Sequence, residues 1–580
     1  MRYSVLRQID RDNVSKLKVA WTFHTTDISD GSGDRHRSGL ETTPIMVDGT
    51  LYLTTAFNRV IAVDPERSTH KLCHRRIFEA TIDARLIALD AVTGAPCSDF
   101  GEKGQISLRN VPGFRSGWYH ITSPPAVLDD IVIVGSAIDD NGRADMPGGV
   151  VRAFDARTGA LRWSWDPIPP NLSASGAGAA KGKWLTGAAN AWSIRSVDQK
   201  RDLVFVPTGS ASPDYYGGLR PGDNKWANSV VALQAKTGQI AWGGQLVHHD
   251  LWDYDTASPP LLATLPHEGK QVPVVIQGNK TGFLYVLNRE TGKPLFPVVE
   301  TPVPQSDVAG EVTSPTQPIP SAPPPLAPQH ISADQAWGLT PADRETCRAW
   351  IQELRNEGIF TPPSLKGTLA IPGNIGGMTW SGYAFDPQRN LLISNTNNLP
   401  AKVKLIPRAE FDTAPRDERG DYTAQTGTPY GMFRSFFRSP EKNLPCVPPP
   451  WGMLTAVDMA NGTIRWQIPL GQFDTGMPLE SPSLGGPIDS GVPPGSPSLG
   501  GPIVTAGGLV LVAGTIDPFL CAFDTQTGKE LWKAQLPAAG HATPMTYQYR
   551  GKQYIVIAAG GHAHIDDDPQ SDAIVAFTLP

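Results

Sequence analysis

The chain has 580 residues, 40% of them hydrophobic and 18% charged, and a formal net charge of −6. That balance suits a large folded core and leaves little room for long disordered tracts. With no basic stripe, it excludes any sequence-based case for nucleic acid or an anionic membrane surface as a partner, while a small neutral substrate remains acceptable.

The 58 glycines and 55 prolines are spread without a collagen period and mark many turns. No stretch approaches the roughly 18 apolar residues of a spanning helix, and runs such as Ile131–Val134 are strand-sized. No basic start precedes an apolar segment, so an export signal or anchor is expected to have been removed or to lie outside these residues. The five cysteines include no CxxC pair. They are read as Cys73–Cys97 and Cys347–Cys446 disulfides in an oxidising compartment, with Cys521 a buried thiol. The alternative is five reduced core thiols.

The strongest internal signal is a repeated string, Ala-x-Asp-x-x-Thr-Gly-x-x-x-Trp. A clipped version at Ala62–Asp64 and a weaker one at Ala88–Gly94 (ALDAVTG) come first. AFDARTGALRW (Ala153–Trp163), ALQAKTGQIAW (Ala232–Trp242), VLNRETG (Val286–Gly292), AVDMANGTIRW (Ala456–Trp466) and AFDTQTGKELW (Ala522–Trp532) follow. Each reads as a strand, a tight turn and a second strand: Asp and Thr side chains satisfy turn amides, Gly takes positive φ, and Trp packs between neighbouring sheets. Alternating apolar runs such as LVFVPTGS (203–210) and LVLVAGT (509–515) precede the copies. Strand following strand without a helical period predicts an all-β propeller, with a β-sandwich or tandem Ig-like modules as the structural rival.

Some segments break the pattern. Residues 301–328 are proline-rich and predict a long extended loop. Arg344–Gly358 has helical spacing and predicts a short helix in an insertion. The string SPSLGGPI occurs at 481–488 and again at 496–503, a local duplication that lengthens a loop.

Segments between and beyond the repeats carry a resemblance. TPIMVDGTLYLTTA (43–56), ITSPPAV (121–127), VHHDLWDYD (247–255), GNKTGFLYVLNRETG (278–292), EGIFTPPSLKGTLAIPGNIGG (357–377) and PAAGHATPMTYQYRGKQYIVIAAGGH (537–562) resemble the pyrroloquinoline-quinone (PQQ) dehydrogenases. They are most similar to the membrane-bound glucose/quinate/shikimate group. The resemblance runs over nearly the whole chain and implies one domain, 1–580, folded as an eight-bladed β-propeller. Its blades would be four-stranded and antiparallel, with tryptophan-docking repeats. It implies oxidation of a sugar or cyclic polyol with PQQ and Ca2+ or Mg2+, ubiquinone or another electron acceptor, and a periplasmic location. The five-helix anchor of the group is absent from these residues, so membrane association is expected only through such a segment.

The same resemblance assigns residues. Asp253 stands at the general base, which must reach an alcohol proton and stay ionised. Lys280 stands where the family places a cation over the reactive quinone carbonyl. Trp192 stands at the tryptophan that stacks on the cofactor, and Asp140 with Asn141 at the metal, where oxygen ligands suit Ca2+ or Mg2+. Asn374 and His562 match positions around cofactor or substrate. Without the resemblance, Asp250, Asp253 and Asp255 read as surface turn formers, Lys280 as a solvated lysine, Trp192 as blade packing and DDNG as a plain turn.

Departures bear on substrate. Phe57 stands where glucose-oxidising relatives carry a histidine near cofactor and substrate, which disfavours D-glucose because an aromatic ring offers a sugar hydroxyl no donor or acceptor. The stretch from Asp64 to Cys73 is shortened, leaving the first blade imperfect. RPGDNKW (220–226) resembles the methanol-type branch, so a primary-alcohol or polyol subgroup is a competing reading, although no CxxCH haem motif is present. A non-catalytic propeller scaffold shares the repeats but has no use for HHDLWD, Lys280 or the Asp140–Asn141 pair.

Overall fold

A computed structural model describes residues 2–32, 36–63, 73–168, 186–413, 415–416, 418–441, 443–472, 495–563 and 569–580. Their strands form eleven sheets. Helix among the described residues is confined to Pro341–Glu353, the single turn Arg408–Phe411 and three short 3-10 segments.

The repeat strings build antiparallel meanders. Ala126–Leu128, Ile131–Val134, Val151–Asp155 and Leu161–Trp165 form one, and Ser196–Asp198, Leu203–Pro207, Ser229–Gln234 and Ile240–Gln245 the next. Another joins Tyr383–Asp386, Leu391–Asn397, Gly452–Asp458 and Thr463–Pro469, and a further one Ile503–Thr505, Leu509–Val512, Phe519–Asp524 and Glu530–Gln535. Three-stranded sheets hold Ile45–Val63, Arg76–Ser107 and Leu261–Asn288. Near the N-terminus, Lys18–His24 pairs with Ala573–Thr578 in a sheet completed by Met545–Tyr549 and Lys552–Ala559. Both ends of the chain thus share one sheet.

The turn chemistry explains the repeat residue by residue. Asp155 Oδ1 accepts from the amides of Arg157 and Thr158 at 3.0 and 2.7 Å and from Thr158 Oγ1 at 2.9 Å. Asp524 and Asp90 do the same in their turns, and Asn288 substitutes for the aspartate with bonds to the Glu290 and Thr291 amides. Each motif glycine has positive φ, for example Gly238 at 73° and Gly528 at 73°. A second constraint is invisible in one copy alone. A Cβ on Gly238 would lie 2.6 Å from the Trp163 ring, one on Gly292 2.7 Å from Trp242, and one on Gly528 2.8 Å from Trp466. The tryptophan of one sheet lies on the glycine turn of the next, and its Nε1 donates to that turn: Trp163 to Ala235 O at 2.7 Å, Trp242 to Arg289 O at 3.0 Å, Trp466 to Thr525 O at 3.0 Å. Phe296 takes the tryptophan's place after VLNRETG and packs against Gly462.

Both disulfides are present, Cys73–Cys97 and Cys347–Cys446, and Cys521 is a free, partly buried thiol pushed up to about 12 by burial. The segment 301–328 is not wholly a loop: Val298–Pro302 pairs with Thr316–Pro320. Proline is tolerated because a two-stranded ribbon is all edge, and Pro318 and Pro320 need no amide toward the partner. The helix is Pro341–Glu353, starting earlier than the periodicity indicates because Thr340 caps it and Pro341 opens it; it stops before 354–358. The shortened stretch 64–72 and the first SPSLGGPI copy lie outside the described residues. The second copy is buried, and its Ser498 amide bonds to Asn397 Oδ1.

A four-stranded inserted sheet has no counterpart in the repeat. Thr368–Ala370, Ala401–Pro407, Tyr430–Phe436 and Asp421–Thr423 pair with each other, and most of this sheet lies in the chain between Leu391–Asn397 and its partner strand Gly452–Asp458. The bonds Thr426 N to Gly142 O and Ala144 N to Thr426 O tie its hairpin to the loop carrying Asp140 and Asn141.

Candidate active site

The segment 248–255 folds inward. Asp250, Asp253 and Asp255 are all buried, as is Lys280, so the surface-turn and solvated-lysine readings do not hold. Asp250 is a structural anchor: its carboxylate accepts from Ser210 Oγ, from Asn228 Nδ2 at 3.0 Å and from the amides of Trp252 and Tyr254. This brace holds Asp253 in the left-handed region at φ 62°, an uncommon conformation for aspartate in a turn with fixed partners.

Lys280 Nζ donates to Asp253 Oδ1 at 2.6 Å and to Asp255 Oδ2 at 2.8 Å, and lies 6.0 Å from the Trp192 ring centroid. Two of the three ammonium donors are thereby committed. Gly209 makes the close approach possible, since a Cβ there would lie 2.5 Å from Asp255 Oδ1 and 3.3 Å from Trp192 Nε1. On the other side, Gly377 N donates to Lys280 O at 2.7 Å, and a Cβ on Gly376 would strike the Lys280 side chain, so the Asn374 loop packs directly on Lys280.

The electrostatics separate the two carboxylates. Burial pushes Asp253 up to about 7, with Asp255 adding to the rise and Lys280 and Arg434 opposing it. Asp255 stays below its ordinary value because Lys280, together with the Ser210 amide, outweighs burial. For Lys280, burial pulls the ammonium down but Asp253 and Asp255 overcome it, so its pKa rises. Asp140 and Asp214 lie well above the ordinary carboxylate range, first through burial and then through repulsion from Asp253 and Asp255.

Asp139, Asp140, Asn141, Asp214, Asp253, Asp421, Tyr422 and Arg434 line a cavity of about 500 Å3. Asn141 Oδ1 and Asp214 Oδ1 are buried without a hydrogen-bond partner. From Trp192 an aromatic line continues to Trp380, 6.3 Å away between ring centroids, to His562 at 6.2 Å and to His541 at 5.7 Å, with His562 Nε2 3.4 Å from Glu41 Oε1. Phe57 lies half-buried in the turn between Thr50–Thr54 and Val60–Val63.

The model of the glucose/ethanol/alcohol dehydrogenase PQQ β-propeller domain matches residues 1–71 and 66–555. The chain is 38% identical to the quinoprotein glucose dehydrogenase of Escherichia coli strain K12, covering all of this chain and 77% of that protein. It is 36% identical to the quinate/shikimate dehydrogenase (quinone) of Acinetobacter baylyi, again over all of this chain and 77% of that protein. It is 37% identical to the glycerol dehydrogenase large subunit of Gluconobacter oxydans, over all of this chain and 84% of that protein. The chain belongs to the PQQ-dependent dehydrogenases. Among solved structures, the quinohemoprotein alcohol dehydrogenase of Comamonas testosteroni superposes with a TM-score of 0.67 at 24% identity, covering all of this chain and 78% of that one. A europium-containing methanol dehydrogenase gives 0.67 at 23% identity, covering all of this chain and 96% of that one. At these identities the likeness shows the β-propeller fold. The chain is therefore an oxidoreductase of the quinoprotein type, and the scaffold reading falls away.

In this quinoprotein the residues present fit a hard cation. Asp140, Asp214, Asp253 and Asp421 outnumber the charges of Lys280 and Arg434 around the cavity, and the orphaned oxygens of Asn141 and Asp214 are donors of the kind such a cation takes. The Trp192 ring and the Lys280 ammonium, brought together where Gly209 allows close approach, are an aromatic face and a cation of the kind a planar acidic quinone takes.

Asp253, Lys280 and Trp192 thus lie together, Asp140 and Asn141 line the same cavity as Asp253, and His562 connects through Trp380. Asn374 reaches the site through its loop, and Phe57 lies in the turn before Val60–Val63. Asp214, Tyr215, Asp421, Arg434 and Trp380 were missed. Asp214 follows the buried Ser210–Ser212 turn in SPDYY, where nothing distinguishes it from a loop aspartate, and Arg434 sits in a strand outside the repeat.

Proposed function

We propose that this quinoprotein oxidises the carbinol of a sugar or cyclic polyol, with Asp253 as the general base. The observation that carries the reading is the paired environment of Asp253 and Asp255: two carboxylates on one lysine, one pushed up to about 7 and the other held down. Groups separated in this way divide the work, Asp253 exchanging a proton near neutral pH while Asp255 stays ionised and fixes Lys280.

Trp192 would form the floor of the quinone slot, with the Asn374 loop and His562 at its margins. Asp140, Asn141 and Asp214 would hold Ca2+ or Mg2+. When bound, the quinone supplies an electrophilic carbon that accepts hydride, and the cation supplies Lewis acidity. Asp253 takes the substrate hydroxyl proton through the oxygen not engaged by Lys280, and the remaining Lys280 donor is placed to neutralise negative charge as it develops. The product is a lactone or ketone. Phe57 favours substrates other than D-glucose.

The repeat sheets, with the sheet formed by both chain ends, are read as eight blades docked by Trp163, Trp242, Trp466, Trp532 and Phe296. The disulfides support an oxidising compartment, and we read the protein as periplasmic, with ubiquinone or another acceptor taking the electrons.

The test is reconstitution of purified protein with PQQ and Ca2+ or Mg2+, followed by dye-linked reduction across aldoses, quinate, shikimate, polyols and simple alcohols. Cation-dependent turnover of a cyclic polyol or sugar is expected; turnover restricted to simple primary alcohols would overturn the substrate assignment.

A further inference from the structure

We infer that Arg434 is a specificity-determining residue, which reads an oxygen neighbouring the carbinol that Asp253 deprotonates. The inference rests on Asp253 being the base. Asp253 presents Oδ1 to Lys280 and Oδ2 to Arg434 Nη1, 3.2 Å away. A substrate hydroxyl bonded to Oδ2 therefore arrives beside a guanidinium, and the adjacent oxygen of a gauche vicinal diol lies about one hydrogen-bond length further on.

Arg434 is built for that exchange. It comes from the inserted sheet and is independent of the repeat scaffold that supplies Asp253. Tyr215 Oη, itself buried, accepts from Nη1 at 2.9 Å and fixes the fork. Asp421 accepts from Nη2 at 3.1 Å, but its side chain is 67% exposed at the cavity mouth. An exposed ion pair contributes little and is readily replaced by a substrate oxygen. Bonds to Tyr215, Asp253 and Asp421 use three of the five guanidinium donors, leaving others for a ligand. A simple alcohol occupies Asp253 and leaves this fork unanswered, whereas a vicinal diol answers both.

The experiment compares cis-1,2-cyclohexanediol with cyclohexanol on the quinone- and Ca2+-loaded protein, wild type, Arg434→Met and Arg434→Lys. Each is followed by equilibrium binding through tryptophan fluorescence and by dye-linked turnover. Wild type should bind the diol at least tenfold more tightly, as expected for a hydrogen bond to a charged group. Arg434→Met should cut the preference for the diol over cyclohexanol, in both KM and Kd, tenfold or more on top of any loss common to both alcohols through the Asp253 contact, and Arg434→Lys should recover part of the preference. Equal loss for both alcohols, or a diol preference that survives Arg434→Met, would overturn the inference. If Arg434→Met fails to fold, Asp421→Ala serves instead: it removes the acceptor on Nη2 and frees that donor, and an unchanged diol preference with Arg434→Lys showing no loss would overturn the inference equally. Diol-selective binding without turnover in wild type would strike the proposed oxidation, while loss of that selectivity in Arg434→Met would still assign the contact with the second diol oxygen to Arg434.

Discussion

The repeat sheets and the inserted sheet contribute to the same cavity on different terms. Asp253, Lys280 and Trp192 rise from segments between repeat strands, where the turn chemistry of Asp155, Gly238 and Trp163 recurs and sets the backbone by rule. Arg434, Asp421 and Tyr422 come from strands with no periodic partner, held to the rest by the Thr426 backbone bonds, the Arg434–Asp253 contact and, nearby in the chain, the Cys347–Cys446 disulfide. Repetition supplies a rigid frame for the chemistry. The insertion supplies a wall that can differ without disturbing that frame.

This contrast is open to perturbation. Removing the Cys347–Cys446 bridge by paired serine substitution releases a sequence separation of 99 residues and should lower stability by about 4–5 kcal/mol, read by denaturant unfolding. Hydrogen exchange should show the loss concentrated in the helix and the inserted sheet, and uniform loss across the repeat sheets would erase the distinction. Trp242→Ala removes a buried ring from the repeat frame and should cost about 3 kcal/mol or more in thermal unfolding, spread through the neighbouring sheets. Gly528→Ala should cost about 1–2 kcal/mol through its φ of 73° alone, with the Trp466 contact adding to it.

The smallest effect is one of pH. Asp140, Asp214 and Asp253 have raised pKa values, so the folded, metal-free protein holds protons that the unfolded chain releases. Their contribution to stability is present below the ordinary carboxylate range and is lost as pH rises above it, for Asp253 through about 7. Added Ca2+ must displace those protons, so its affinity should climb over the same window, by about tenfold per pH unit for each proton displaced. Titration calorimetry in two buffers checks this, and pH-independent affinity would contradict it.

Much of the frame was legible because its residues act within a few positions of each other: Asp caps the next amides, Gly turns, and a strand begins. The docking of Trp163 on Gly238 was legible only as a tendency, since its partner is a whole repeat away. Asp253 and Lys280 were found through resemblance alone, because a buried aspartate in an aromatic turn is locally indistinguishable from an exposed one. Arg434 left no signal: an arginine in a strand reads as a solvent-facing residue until Tyr215 and Asp253 are seen beside it. The ribbon at Thr316–Pro320 was hidden for the opposite reason, its prolines arguing against a strand that needs few amides.

The most direct test of the central claim is Asp253→Asn in protein loaded with PQQ and Ca2+. Turnover should fall by roughly 10²–10⁴-fold while quinone binding stays near wild type, as loss of a general base requires. Near-normal turnover in that variant would contradict the assignment of Asp253 as the base.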